Sequence, residues 1–182
     1  MKFFITGDTH NNIDKVLKIF PHLKGVDMIL HTGDMKSDGK RLEELLNVPV
    51  VSVPGNCDGS SSSGDFEIVE TEYGKILVTH GHMFHVSYSY DRLLYLCEEN
   101  DCKAAVFGHT HVPCFEEIDG IHLINPGSLS RPRDGFYGSY AVVTTTKSTF
   151  AGSIVYYNPS LFEKEKVKGG FIKDLLNNSD RF

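Results

Sequence analysis

The residues with the most chemical capacity in this 182-residue chain are aspartates, histidines and one asparagine set beside glycines. They occur as Gly7-Asp8-Thr9-His10, Gly33-Asp34, Gly55-Asn56-Cys57-Asp58, His80-Gly81-His82 and Gly108-His109-Thr110-His111. Taken singly, each has an ordinary reading, because a Gly-Asp pair usually marks a turn and a lone histidine usually sits at the surface. Taken together they do not, since four of the nine histidines form two His-x-His pairs at the ends of strand-like segments. Imidazole and carboxylate without thiolate suit Mn, Fe, Zn or Ni better than Ca or a structural zinc. About seven candidate ligands are too many for one catalytic ion and enough for two. A pair of ions about 3.5–4 Å apart serves in-line displacement at phosphorus.

The elements that must position these groups follow from hydropathy patterning. Strand-like runs at 2–6, 27–31, 50–53, 76–79 and 104–107 each lead into one of the five groups. Helix-like runs lie between several of them. One, at 11–23, carries Ile13, Val16, Leu17 and Phe20 at helical spacing; others are at 39–47 and 88–100. Residues 67–72 and 76–79 read as a hairpin around Tyr73-Gly74, and 140–146 with 150–157 as a second; 121–124 is a further strand. Residues 161–182 read as a polar surface segment plus a weak terminal helix. Strands alternating with helices, then hairpins, predict sheets with helices outside, α/β or α+β. In such a sheet the carboxyl ends of parallel strands share one edge, where ligands bind. The spacing by two in Asp8/His10, His80/His82 and His109/His111 predicts that each pair faces one side of an extended segment.

Composition sets the limits. The chain is long enough for one hydrophobic core and is read as a single domain over 1–182. A net charge of −6 and no basic stripe disfavour a nucleic-acid polymer as partner. No apolar run approaches the roughly 18 residues that cross a bilayer, and the N-terminus turns polar at Gly7-Asp8, so a cytoplasmic protein without a membrane partner is expected. Four cysteines without a C-x-x-C pair are read as reduced thiols.

The five groups together resemble the calcineurin-like metallophosphoesterase superfamily, and more narrowly its small YfcE-like phosphodiesterase branch. The string Ile124-Asn125-Pro126-Gly127-Ser128, followed by Arg131-Pro132-Arg133, resembles that branch too, and the likeness runs from about residue 3 to 157. It implies a four-layer α/β/β/α sandwich, with 160–182 as a tail. It further implies that Asp8, His10 and His111 hold one metal, that Asn56, His80 and His109 hold a second, and that Asp34 bridges them. The implied activity is hydrolysis of small phosphodiesters by in-line attack of a metal-bridging hydroxide. The two divalent ions are expected to be Mn2+, with Ni2+, Zn2+, Fe2+ or Mg2+ as alternatives. Asn56 would act both as ligand and, through its amide nitrogen, as a donor to a phosphate oxygen.

Cys57 departs from the larger family, in which many members carry a histidine that assists the leaving group. His82 is then the candidate acid, with a role in orienting ligands equally open. Other residues carry smaller expectations: Arg131 and Arg133 as substrate contacts or solvated side chains, and Asn11 as a phosphate donor or helix cap. Asp58 is expected to hydrogen-bond a ligating histidine, and the serines at 60–63 form either a lid or an idle loop. Two alternatives stay open: a non-catalytic scaffold like the retromer subunit of this fold, and a nuclease or phosphomonoesterase of the same superfamily. A homodimer is the expected oligomer if the chain forms one.

Overall fold

The computed structural model describes residues 1–59 and 64–163. Ten strands form two five-stranded sheets, ordered β10-β9-β1-β2-β3 and β4-β5-β6-β8-β7. The first sheet contains β1 (Lys2–Thr6), β2 (Met28–His31), β3 (Val50–Ser52), β9 (Ser139–Thr145) and β10 (Phe150–Tyr156). The second contains β4 (Phe66–Glu70), β5 (Lys75–Thr79), β6 (Cys102–Val106), β7 (Cys114–Ile118) and β8 (Ile121–Asn125). Strands β1, β2 and β3 run parallel, and so do β5, β6 and β8. Parallel neighbours need crossovers. Helices α1 (Asp14–Ile19), α2 (Lys36–Leu46) and α3 (Asp91–Glu99) supply three of them, and a short α4 (Pro159–Glu163) follows β10.

The period-two side-chain pattern of the strands builds the layers. Phe3 and Ile5 of β1 meet Ile76 and Val78 of β5 and Ala104 and Val106 of β6 in a core between the sheets. The alternate residues point outward: Phe4 and Ile29 pack with Val16, Leu17 and Leu42 of the first two helices. Leu77, Ala105 and Leu123 pack with Leu93 and Cys97 of α3. The order of layers is therefore helix, sheet, sheet, helix, the expected sandwich.

Several boundaries differ from the sequence reading. The run at 11–23 is only six residues of α-helix, Asp14–Ile19, followed by a 3-10 turn at Phe20–His22, because Pro21 cannot supply the N–H that would extend it. Helix α2 begins three residues earlier than its apolar spacing suggests, and α3 begins at Asp91 instead of 88. Strand β7 was not expected. Cys114-Phe115-Glu116-Glu117-Ile118 is an edge strand with exposed glutamates and too little alternation to announce itself. Among the described residues no helix is long and apolar enough to cross a membrane. The lid at 60–63, and the terminal helix beyond α4, lie outside the described residues.

Candidate metal centre

The carboxyl ends of β1, β2 and β3 in one sheet meet those of β5 and β6 in the other, so the five groups converge where the two sheets abut. The junction is stitched through main chain. The Asp8 N–H donates to Gly33 O at 2.9 Å, and the Gly108 N–H donates to His80 O at 3.1 Å. Between the sheets, the His109 N–H donates to the Asp8 carboxylate at 3.1 Å. Close approach requires glycine at two of these ends. A Cβ on Gly55 would lie 2.2 Å from Asp34 Oδ1 and 2.4 Å from Asp34 N. Gly33 has φ +98, and a Cβ there would meet the His80 ring at 3.0 Å.

The expectation that residues two apart share one side of an extended segment is corrected. Asp8, His10, Asp34, His109 and His111 all have positive φ, between 49° and 71°. Such a conformation costs a non-glycine residue about 1–3 kcal/mol and persists where the surroundings over-determine it, as at functional sites. The turns send His109 and His111 to different places. Asp8, His10, Asp34 and His111 form one cluster, with a ligating atom of each within 4.8 Å of the others. Asn56 Oδ1 anchors a second cluster, 3.0 Å from His80 Nε2 and 3.1 Å from His109 Nδ1. Asp34 faces both: Oδ2 lies 3.6 Å from His10 Nε2, and Oδ1 lies 3.4 Å from His80 Nε2.

The donor set fits cations. His80 Nδ1–H donates to Thr32 O at 2.8 Å and His111 Nδ1–H donates to Arg131 O at 2.6 Å. A carbonyl can only accept, so each ring is fixed with its Nε2 lone pair facing the cluster, as second-layer carbonyls commonly fix metal-binding histidines. His111 Nε2 then stands 3.3 Å from His10 Nε2 and 3.4 Å from Asp8 Oδ1. Two buried carboxylates and several inward lone pairs at these distances call for positive charge among them.

The electrostatics agree. Burial holds His10 and His109 below the ordinary histidine range, against the pull of Asp34 and Asp8, so both are neutral and able to ligate at neutral pH. Burial also lowers His111, but its bond to Asp8 outweighs this and leaves it raised. Burial would raise Asp34, yet His80 and the Cys57 N–H, 3.0 Å from Oδ1, hold it lowered and ionised.

The remaining candidates separate. Cys57, Arg131, Pro132 and Arg133 line an open cleft of about 420 Å³ together with His10, Asp34, Asn56, His109 and His111. His82 is not part of that lining; its ring centroid lies 5.1 Å from His80 and 6.1 Å from His109. Its Nδ1 is buried without a hydrogen-bond partner among the described residues. Asp58 does not bond a histidine. Its carboxylate accepts backbone N–H groups from Gly55 at 2.7 Å, Lys36 at 2.7 Å and Met35 at 3.1 Å, tying the Asn56 loop to the start of α2. Asn11 is not the helix cap; its neighbour Asn12 accepts from the Asp14 N–H, and the Asn11 N–H donates to Asp38.

A buried polar chain below the first cluster escaped the sequence reading. Thr9 Oγ1 donates to Asp38 Oδ2 at 2.7 Å and lies 3.1 Å from His31 Nε2, whose Nδ1 lies 3.1 Å from Ser52 Oγ. Thr9 sits between Asp8 and His10, so the chain braces both. Ser128 and Ser130 each donate to Asp8 O, at 2.9 and 2.8 Å, and Asn125 Nδ2 donates to Gly108 O. These bonds give the Asn125-Pro126-Gly127-Ser128 string a task. Its signal in the sequence was the string itself, without a role.

Residues 1–148 match the calcineurin-like phosphoesterase superfamily domain. A probable metallophosphoesterase of Bacillus subtilis, YsnB, is 31% identical over 180 residues, covering 97% of this chain and 98% of its own. The phosphodiesterase YfcE of Escherichia coli is 29% identical over 168 residues, covering 79% and 87%. Among solved structures, a conserved Streptococcus pneumoniae protein described as a predicted phosphoesterase superposes with a TM-score of 0.71 at 27% identity, over 85% of this chain and 88% of that one. The chain belongs to the calcineurin-like phosphoesterase superfamily. With this cluster of carboxylates and imidazoles it is a metal-dependent phosphoesterase.

Proposed function

We propose that the protein hydrolyses small phosphodiesters with two divalent ions, Mn2+ being the first to try. The observation that carries this reading is Asp34, whose two carboxylate oxygens face two different ligand clusters. Asp8, His10 and His111 would complete one site, and Asn56, His80 and His109 the other. Bound there, the ions would neutralise phosphoryl oxygens and lower the pKa of a coordinated water toward neutrality. The chain's own residues supply the rest. Thr32 O and Arg131 O hold two imidazoles in the ligating tautomer. Asn56, exposed at the cleft, presents an amide N–H to a phosphate oxygen while its Oδ1 faces His80 and His109. The clustered anions Asp8 and Asp34 would repel an anionic diester in the absence of metal, which makes the activity strictly metal-dependent.

Help for the leaving group is weak in this reading. Burial and the neighbouring Asp34 push the Cys57 thiol up, so it stays neutral and supplies no positive charge. Burial and His80 push His82 down, which leaves it unprotonated at neutral pH. Good leaving groups are therefore favoured. The net charge of −6 argues against a polymeric nucleic-acid substrate. Metal-stripped protein reconstituted separately with Mn2+, Ni2+, Zn2+ and Mg2+ should hydrolyse bis(p-nitrophenyl) phosphate with at least one of them. No turnover with any ion contradicts the reading and favours the scaffold alternative.

A further inference from the structure

We propose that Arg131 and Arg133 form a subsite for a second anionic group, so that the substrate class is a diester bearing a phosphate in addition to the one cleaved. This rests on the phosphodiesterase reading above and names its substrate more narrowly. Both arginines line the cleft that His10, Asp34, Asn56, His109 and His111 also line. Their segment is not a free loop at that point. Arg131 O accepts from His111 Nδ1 at 2.6 Å, the Arg131 N–H donates to Ser128 Oγ at 2.9 Å, and the Arg133 N–H donates to His111 O at 3.3 Å. Pro132, between them, fixes φ. The backbone of both arginines is thus fastened to His111, Arg131 through the imidazole and Arg133 through the main-chain carbonyl.

The side chains of Arg131 and Arg133 keep their charge at the cleft unpaired. Both are exposed, and among the described residues no carboxylate pairs with either guanidinium. Arg41, by contrast, pairs with Asp38 at 3.2 Å. A guanidinium is a planar fork that matches two phosphate oxygens. A simple diester carries one negative charge, and the metal centre would claim its phosphoryl oxygens. Two further cations at the same cleft, in a chain with net charge −6, would attract a second anion on the substrate.

Two probes differ only in that anion: the p-nitrophenyl ester of thymidine 5′-phosphate, and the same ester with a 3′-phosphate. With the Mn2+-loaded protein, the 3′-phosphate should lower KM by about tenfold, the low end of what charge-assisted hydrogen bonds contribute. The double variant R131Q/R133Q should erase that preference, read as the ratio of KM values for the two probes. A binding titration gives a readout independent of turnover. Thymidine 3′,5′-bisphosphate should bind the wild type about tenfold tighter than thymidine 5′-phosphate, and the double variant equally to both. Equal KM values for the two esters, or a preference that survives in R131Q/R133Q, overturns the subsite. If neither ester is hydrolysed, the phosphodiesterase reading fails, and the titration alone decides the arginines.

Discussion

Replacing Asp58 should loosen the Asn56 loop and the start of α2 together. One carboxylate accepts three backbone N–H groups from two segments, at 2.7, 2.7 and 3.1 Å. Helix α2 has no capping side chain of its own, and its preceding residue Met35 is held at φ 90, a strained value for a residue with a Cβ. A hydrogen bond to a charged acceptor contributes about 1.5–3 kcal/mol, and Asp58 is half-buried, so water recovers part of each. Asp58→Ala should therefore cost about 3 kcal/mol. Asp58→Asn keeps one acceptor oxygen and should cost about half as much. With a urea m-value of about 2 kcal/mol/M, the alanine variant's midpoint should fall by about 1.5 M, read from urea titrations of metal-free protein. Because Gly55 directly precedes Asn56, the same variant should lose Mn2+ from the Asn56–His80–His109 cluster before the other. A midpoint shift below about 0.3 M, or identical values for Ala and Asn, refutes the argument that this carboxylate is the clasp.

Two further outcomes are expected. His31 is fully buried, and burial pushes its imidazole from 6.5 down to about 4, so the folded state takes up the proton later than the unfolded chain. Stability is then lost as pH falls from 6.5 toward 4, by up to about 3 kcal/mol at about 1.4 kcal/mol per unit. Urea titrations at pH 7 and 4.5 should show a drop about 2 kcal/mol smaller in His31→Gln than in wild type, and equal drops would contradict the assignment. Cys57→His should restore leaving-group assistance, raising kcat for an alkyl diester relative to a p-nitrophenyl diester by about 10²-fold, with Cys57→Ala as the control for space. Wild-type rates that do not depend on leaving-group pKa would count against it. So would a steep dependence that appears only in His82→Ala, since His82 would then be the acid.

The sequence showed the site more fully than the elements that hold it. The five glycine-flanked groups could be read directly, because the chemistry of their side chains is independent of fold and each followed an apolar strand. Their distribution over two sheets could not, since the hairpin of 67–72 with 76–79 is legible but nothing in it says that 76–79 also pairs with β6 and not with β3. The turns were misjudged for a related reason. Left-handed φ at Asp8, His10 and His111 is imposed by bonds from distant residues, such as Ser128 and Ser130 to Asp8 O, and has no local signature. Asp38 lies just before the helix expected over 39–47, and only the fold makes it a first-turn residue buried beneath Thr9. The expected bond from Asp58 to a ligating histidine is absent, because the fold presents main-chain N–H groups of Gly55, Met35 and Lys36 to its carboxylate instead.

The central claim is that Asp34 joins two metal sites, and metal content measures it most directly. Wild-type protein equilibrated with Mn2+ and freed of excess ion should retain about two ions per chain by elemental analysis. Asp34→Asn replaces the shared anion by a neutral, weaker ligand while leaving the Cys57 N–H an oxygen acceptor. It should retain one ion or fewer, with its circular dichroism unchanged and turnover of bis(p-nitrophenyl) phosphate lost. Wild-type protein that binds only one ion, or an Asp34→Asn variant that keeps two ions and most of its turnover, would contradict the account.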